Sequence, residues 1–296
     1  MKGTGLGNDW ESEKIARIDL AQAVSLQDFR QLYHLQHLVV NGINWEYLAS
    51  GEGDETILFL PGLAGAYDIW WQQITALQDR YRIISVTYPA VSGLREMARG
   101  LLAILEQEDV DRATVVGSSL GGYLAQYLLA AHPGRVERAV FGNTYANCEL
   151  IRQRYRLAGA ALPRAPEWLV MAILRASYRL LIYPTSRHMD SVLEYLIELT
   201  DGRMSKAQIE SRYLNVVEPF LIPDPSTLNT PLLILESDND PMIEPRVQED
   251  IRRTYPTASV YTFHNAGHFP YLVVPQEYLQ VLTIILEGKK REGGRG

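Results

Sequence analysis

The stretch "VVGSSLGGYLAQ", Val115–Gln126, decides how this chain is to be read. Its first residues extend a β-branched run, Ala113–Val116, and its last ones open an apolar helical pattern, Leu120–Ala131. Between them, Gly117-Ser118-Ser119-Leu120-Gly121 must turn the chain sharply. The apex of such a turn is held at positive φ, which costs a non-glycine residue about 1–3 kcal/mol. A turn with no other task would place glycine there. Here the apex is Ser119, and the glycines stand two residues to either side, where a Cβ would meet the tightened backbone. This G-x-S-x-G pattern lifts a hydroxyl above the end of a strand. Ser119 is therefore a candidate nucleophile, whereas Ser118, one residue off the apex, points elsewhere.

Working outward, the apolar runs "TILFL" (56–60), "YRIISVTY" (81–88), "RAVFG" (138–142), "PLLILE" (231–236) and "SVYTF" (259–263) read as buried strands like Ala113–Val116. "HLVVNGINWEYLAS" adds two strands joined by Asn41-Gly42, a strong hairpin signal. Helical patterns such as "YDIWWQQITALQD", "LREMARGLLAILEQ" and "QEYLQVLTIILEG" intervene. Doubly buried strands alternating with helices predict an α/β fold: a mostly parallel eight-stranded sheet with helices on both faces. One connection is too long for an ordinary crossover. Residues 146–228 are helical in pattern, are punctuated by Pro163, Pro166, Pro184 and Pro223, and predict a helical cap inserted in a core of residues 31–145 and 229–288. Residues 1–30 are expected to be a flexible N-terminal extension ending in a polar helix, and 289–296 a disordered tail.

Composition excludes several classes. Net charge is −7 and no basic block appears before the last residues, which argues against nucleic-acid binding. Cys148 is the only cysteine, so no internal disulfide can form, as suits a reducing compartment. No apolar signal-peptide core is visible near the N-terminus. The longest greasy stretch, "EWLVMAILRASYRLLIYP", is interrupted by Arg175 and Arg179, so no stable membrane insertion is expected. These features predict a cytoplasmic protein. "GTGLG" at Gly3–Gly7 has no strand before it and does not read as a phosphate loop.

Ligands of open α/β sheets bind at the carboxyl ends of the strands, so partners of Ser119 should follow later strands. Asp240, before Pro241, follows "PLLIL", with Asp238 as a rival, and His268 follows "SVYTF" in a glycine-marked loop. A serine hydroxyl needs a neutral imidazole to take its proton and a carboxylate to orient that imidazole. Gly62 and Gly65 of "LFLPGLAGAYD" let backbone amides approach a ligand, so the N–H groups of Leu63 and Leu120 are the expected oxyanion hole. Trp70 and Trp71, at the start of the next helix, are candidate substrate-binding residues. His264 and His268 are four apart, but they flank a glycine loop and lack the HExxH pattern, so no metal is expected, and a serine nucleophile with this acid and base is expected to need no cofactor.

The serine–acid–histidine order, the elbow, the "PG" loop, "DP" after the penultimate strand and "AGHFPYLVVPQEY" together resemble the Ser-Asp-His branch of the α/β-hydrolase superfamily. The resemblance covers about residues 37–145 and 229–288. Locally, "WWQQITAL", "SVTYPA", "GSSLGGYLAQ" and "FGNTYAN" are most similar to maspardin-like proteins, a branch associated with protein binding. Three positions depart from the family pattern. The usual "HG" is Pro61-Gly62, the glycine before the acid is Ser237, and "YPAVSGLRE" replaces the segment common in peptidase and C–C hydrolase relatives. The resemblance implies a carboxylesterase-like serine hydrolase acting on a small or medium acyl ester, its apolar stretch Trp168–Leu181 roofing an acyl pocket. The alternative is a maspardin-like binding protein with little or no catalysis. A homodimer or a protein partner would then contact the cap.

Overall fold

The β-branched runs form one central sheet. The computed structural model describes residues 24–224 and 227–288. Its strands are β1 (Gln36–Val40), β2 (Ile43–Ser50), β3 (Thr56–Leu60), β4 (Arg82–Thr87), β5 (Ala113–Ser118), β6 (Val136–Gly142), β7 (Leu232–Ser237) and β8 (Ser259–Phe263). Their spatial order is β1-β2-β4-β3-β5-β6-β7-β8. The β1–β2 hairpin turns on Asn41 at φ 52° and Gly42 at φ 78°. Both take the left-handed conformation that a two-residue Asn-Gly turn favours. The β2–β4 pairing is antiparallel and every later pairing is parallel. Every residue of β3, β5 and β7 is buried, as layers of helices on both faces require.

Helices α1 (Leu26–Leu32), α2 (Trp71–Leu77), α3 (Leu94–Gln107) and α4 (Leu120–Ala131) precede β6. The β6–β7 connection holds α5 (Cys148–Arg154), α6 (Arg156–Ala161), α7 (Glu167–Ser177), α8 (Tyr183–Thr185), α9 (Asp190–Glu198) and α10 (Lys206–Val216). Helices α11 (Pro245–Thr254), α12 (Pro270–Val273) and α13 (Pro275–Glu287) follow. Among the described residues, no helix is long and apolar enough to cross a membrane.

Three expectations change. "SVYTF" is not a doubly buried strand: β8 lies at the sheet edge with Val260 44% exposed, because β7 is its one neighbour. An apolar run carries no mark of whether a second strand lies beside it. The end of the predicted N-terminal extension is also packed. Phe29 of α1 is fully buried and Arg30 binds Asp68 at 2.7 Å, while residues 1–23 and 289–296 lie outside the described residues. Finally, the stretch Trp168–Leu181 turns its greasiest residues outward. Trp168, Ile173, Leu180 and Leu181 are exposed, and Val170, Met171 and Tyr178 face inward. Where large apolar residues stand on more than one side of a helix, period alone does not choose the buried face.

A buried carboxylate fastens the insertion to the core. Asp68, fully buried before α2, accepts from Arg30 Nε, Arg203 Nη2 and Tyr195 Oη, each at 2.7 Å. These donors join α1, the strand β3–α2 connection and the α9 region through one acid.

Candidate active site

Ser119 sits at φ 54°, ψ −117°, between the end of β5 and the first residue of α4. Such strain persists only where the surroundings over-determine it. Here the Ser119 N–H donates to Gly142 O at 2.8 Å and Thr144 Oγ1 donates to Ser119 O at 2.7 Å. The flanking glycines are steric necessities. A Cβ on Gly117 would stand 2.1 Å from Gly121 O, and one on Gly121 would stand 2.0 Å from Leu60 O. The loop after β3 passes directly beside the serine, since a Cβ on Gly62 would lie 3.2 Å from Ser119 Cβ. Leu63 follows in that loop. The N–H of Leu120 is the first of α4, one of the donors a helix leaves without an internal acceptor.

The other two predicted residues meet each other. His268 Nδ1 lies 2.8 Å from Asp240 Oδ2 and 3.0 Å from Oδ1, and both side chains are buried. A carboxylate only accepts, so Nδ1 is the donor and the neutral ring keeps Nε2 as its base. Asp240 is itself held on every side. Oδ1 accepts from the Met242 N–H at 2.8 Å and the Ile243 N–H at 3.1 Å, and Oδ2 accepts from Asn143 Nδ2 at 2.8 Å. Among the described residues the Ser119 hydroxyl has no side-chain hydrogen-bond partner.

The rival acid has a different task. Asp238 accepts from the Asn265 N–H and contacts His264 Nδ1, each at 2.8 Å, on a surface where His264 is 85% exposed. The Asn265 N–H and then the His264 ring hold its carboxyl below the usual aspartate range. Asn239, between the two acids, accepts from the Gly267 N–H at 2.8 Å and donates to Asn265 Oδ1 at 3.0 Å. Alternate residues of one short loop thus serve the fold and the candidate site.

Asn143 was not among the predicted residues. It lies one position beyond β6, at φ 41°, and is buried. Its Nδ2 reaches Asp240 Oδ2, and also Ser237 Oγ and Gly267 O, each of these two at 3.3 Å. Because Gly142 O accepts the Ser119 N–H, residues 142–143 link the serine turn to the acid and to the histidine loop. The available signal was position alone: like Ser119, Asp240 and His268, it follows a strand on the same edge. A hydrogen bond to a charged group contributes about 1.5–3 kcal/mol, so Asn143→Ala should slow turnover by about 10–100-fold. Steady-state kinetics on a folded variant checks this, and unchanged turnover would show that Asn143 does not position Asp240.

The tryptophan pair divides. Trp70 is fully buried, with its ring 4.0 Å from that of Tyr271 and 5.1 Å from that of Phe59. It is a core residue, which corrects its assignment to substrate binding. Trp71 is partly buried and packs at the edge of the same apolar cluster. Ser118 is buried at the end of β5, away from the apex.

Residues 57–281 match the family model described as the alpha/beta hydrolase family. Mouse maspardin is 24% identical over 245 residues, covering 79% of this chain and 76% of its own. The putative carbamate hydrolase RutD of Azorhizobium caulinodans is 24% identical over 246 residues, covering 76% of this chain and 89% of its own. In structure, the enol-lactonase from Burkholderia xenovorans superposes with a TM-score of 0.73 at 17% identity, covering 85% of this chain and 99% of that one. That likeness concerns the fold. The family match spans the elbow, the insertion and the histidine loop, and the chain belongs to the alpha/beta hydrolase family.

Proposed function

We propose that the protein is a serine hydrolase that cleaves small or medium acyl esters through an acyl-enzyme, with no cofactor in the reaction. Ser119 Oγ attacks the ester carbonyl while His268 Nε2 takes its proton. Asp240 holds the imidazole and stabilises its cation. The Leu63 and Leu120 N–H groups receive the negative oxygen of the tetrahedral intermediate. Collapse expels the alcohol, which takes the proton from His268. Water, activated by the same ring, then releases the acid and restores Ser119. The helices between β6 and β7 act as the cap that bounds the acyl group.

The observation that carries this reading is the buried His268–Asp240 pair, with the acid held by three N–H donors, on the sheet edge where strain lifts Ser119. Those donors fix the buried carboxylate, and both of its oxygens face His268 Nδ1, which holds the ring in the one tautomer that leaves Nε2 as a base. A second reading, a binding protein on the same fold, is favoured by the similarity to maspardin.

A fluorophosphonate decides between them, because its adduct needs the nucleophile, the base and the oxyanion donors but no knowledge of the substrate. Stoichiometric labelling at Ser119, mapped by mass spectrometry, is expected, together with hydrolysis of short aryl esters. Silence in the intact protein and in a variant with a loosened insertion would overturn the hydrolase reading.

A further inference from the structure

The insertion carries a buried cation with no acid beside it. Arg212 of α10 is 2% exposed. Its Nη1 donates to Leu63 O at 2.7 Å and Gly65 O at 3.0 Å, and Nη2 donates to Tyr88 O at 3.0 Å, just past β4. Nε has no partner. Among the described residues no carboxylate pairs with the guanidinium; the groups that bear on its charge are Tyr88, Tyr195 and Tyr178. Its Cζ lies 5.6 Å from the centre of the Tyr88 ring. Burial pulls its pKa down to about 10, which leaves it charged at neutral pH.

Buried charges are normally paired, because desolvation is expensive and backbone carbonyls return only part of it. Tethering α10 does not require the expense. Neutral amides already do that work: Asn215 accepts from the Gly93 N–H at 2.6 Å and donates to Val91 O at 2.9 Å, and Gln208 donates to Tyr88 O at 3.0 Å. What the guanidinium adds is a grip on the Leu63 and Gly65 carbonyls of the loop beside Ser119, at the residue whose N–H is the proposed oxyanion donor. Its planar fork lets one nitrogen hold two carbonyls while the other holds a third, a geometry an ammonium does not reproduce.

We propose that Arg212 is a positioning residue for the oxyanion loop: it fixes Leu63 from the carbonyl side when the insertion is seated, and its uncompensated charge favours the negative oxygen of the tetrahedral intermediate. This rests on the serine-hydrolase reading above. A charge inside a region poor in water acts over longer range than one in solvent, and it needs no reorganisation when the oxyanion forms. The contact also couples two events. Lifting α10 off the core would release the Leu63 and Gly65 carbonyls together, so this grip on the oxyanion loop lasts only while the insertion is closed.

The test compares Arg212→Met and Arg212→Lys with the parent protein, by aryl-ester kinetics, fluorophosphonate labelling rate and thermal melting. Arg212→Met should lower kcat by about 100-fold with KM changed less than about threefold, since the loop acts on the intermediate rather than on the bound ester. Arg212→Lys keeps the charge without the fork and should lose about 10-fold. Labelling rates should fall in the same order. If Arg212→Met does not fold, the lysine variant decides: a folded protein with a kcat loss and a retained KM supports the proposal. Parent-like kcat in a folded variant, a loss confined to KM, or failure of both variants to fold would overturn it. A parent protein that neither labels nor turns over esters would instead remove the hydrolase reading on which the proposal rests.

Discussion

Replacing Ser119 by alanine is expected to lower ester turnover by about 10⁴-fold or more and to abolish fluorophosphonate labelling, with the fold retained. The hydroxyl is the atom that bonds to the carbonyl, so no neighbour can substitute for it; Ser118, the adjacent hydroxyl, is buried in β5. Removing the base by His268→Ala should cost a similar factor, and the double variant should cost little more than either single one, because the two residues act as a unit. A third variant separates chemistry from stability. Ser119 occupies φ 54°, where glycine is unstrained, so Ser119→Gly should be inactive and yet more stable than the parent, by about 1 kcal/mol. Chemical denaturation and single-turnover kinetics on the same samples check both halves. An active Ser119→Ala protein would place the nucleophile elsewhere.

The second large effect distinguishes two aspartates that are two residues apart. Asp240→Asn should reduce kcat by about 10⁴-fold, because an amide in place of the carboxylate favours the wrong tautomer of His268 and cannot stabilise its cation. Asp238→Asn should leave kcat within about threefold, since Asp238 contacts His264 and the Asn265 N–H at the surface, a pairing of the kind that contributes little. The measurement is steady-state turnover of both variants, with circular dichroism to confirm folding. The reverse pattern would reassign the acid. Met242 and Ile243 donate their N–H groups to Asp240 Oδ1, and a neutral amide oxygen still accepts them, so the asparagine variant should keep the loop in place.

Much of this was decided along the chain. The β-branched strand runs, the Asn41-Gly42 hairpin and the glycines around Ser119 are local instructions, because each depends on the steric limits of a few adjacent residues. So is the order serine, acid, histidine, each just past a strand: once the sheet is parallel, strand ends share an edge, and there the acid after β7 meets the histidine after β8. Other features depend on surfaces that only meet in the folded chain. Asn143 reaches an acid 97 positions away and is marked only by its place just past a strand, and Arg212 reaches a carbonyl 149 positions away with nothing in its own neighbourhood to mark it. Trp70 and Trp71 are identical residues in one helical pattern, and only packing against Phe59 and Tyr271 makes the first a core residue. Helix α7 carries large apolar residues on both its exposed and its buried faces, so its own residues do not choose between Trp168 outward and Met171 inward. That choice, like the placing of β8 at an edge, belongs to tertiary structure, because hydrophobic burial depends on how much neighbouring surface there is to pack against and not on the residue alone.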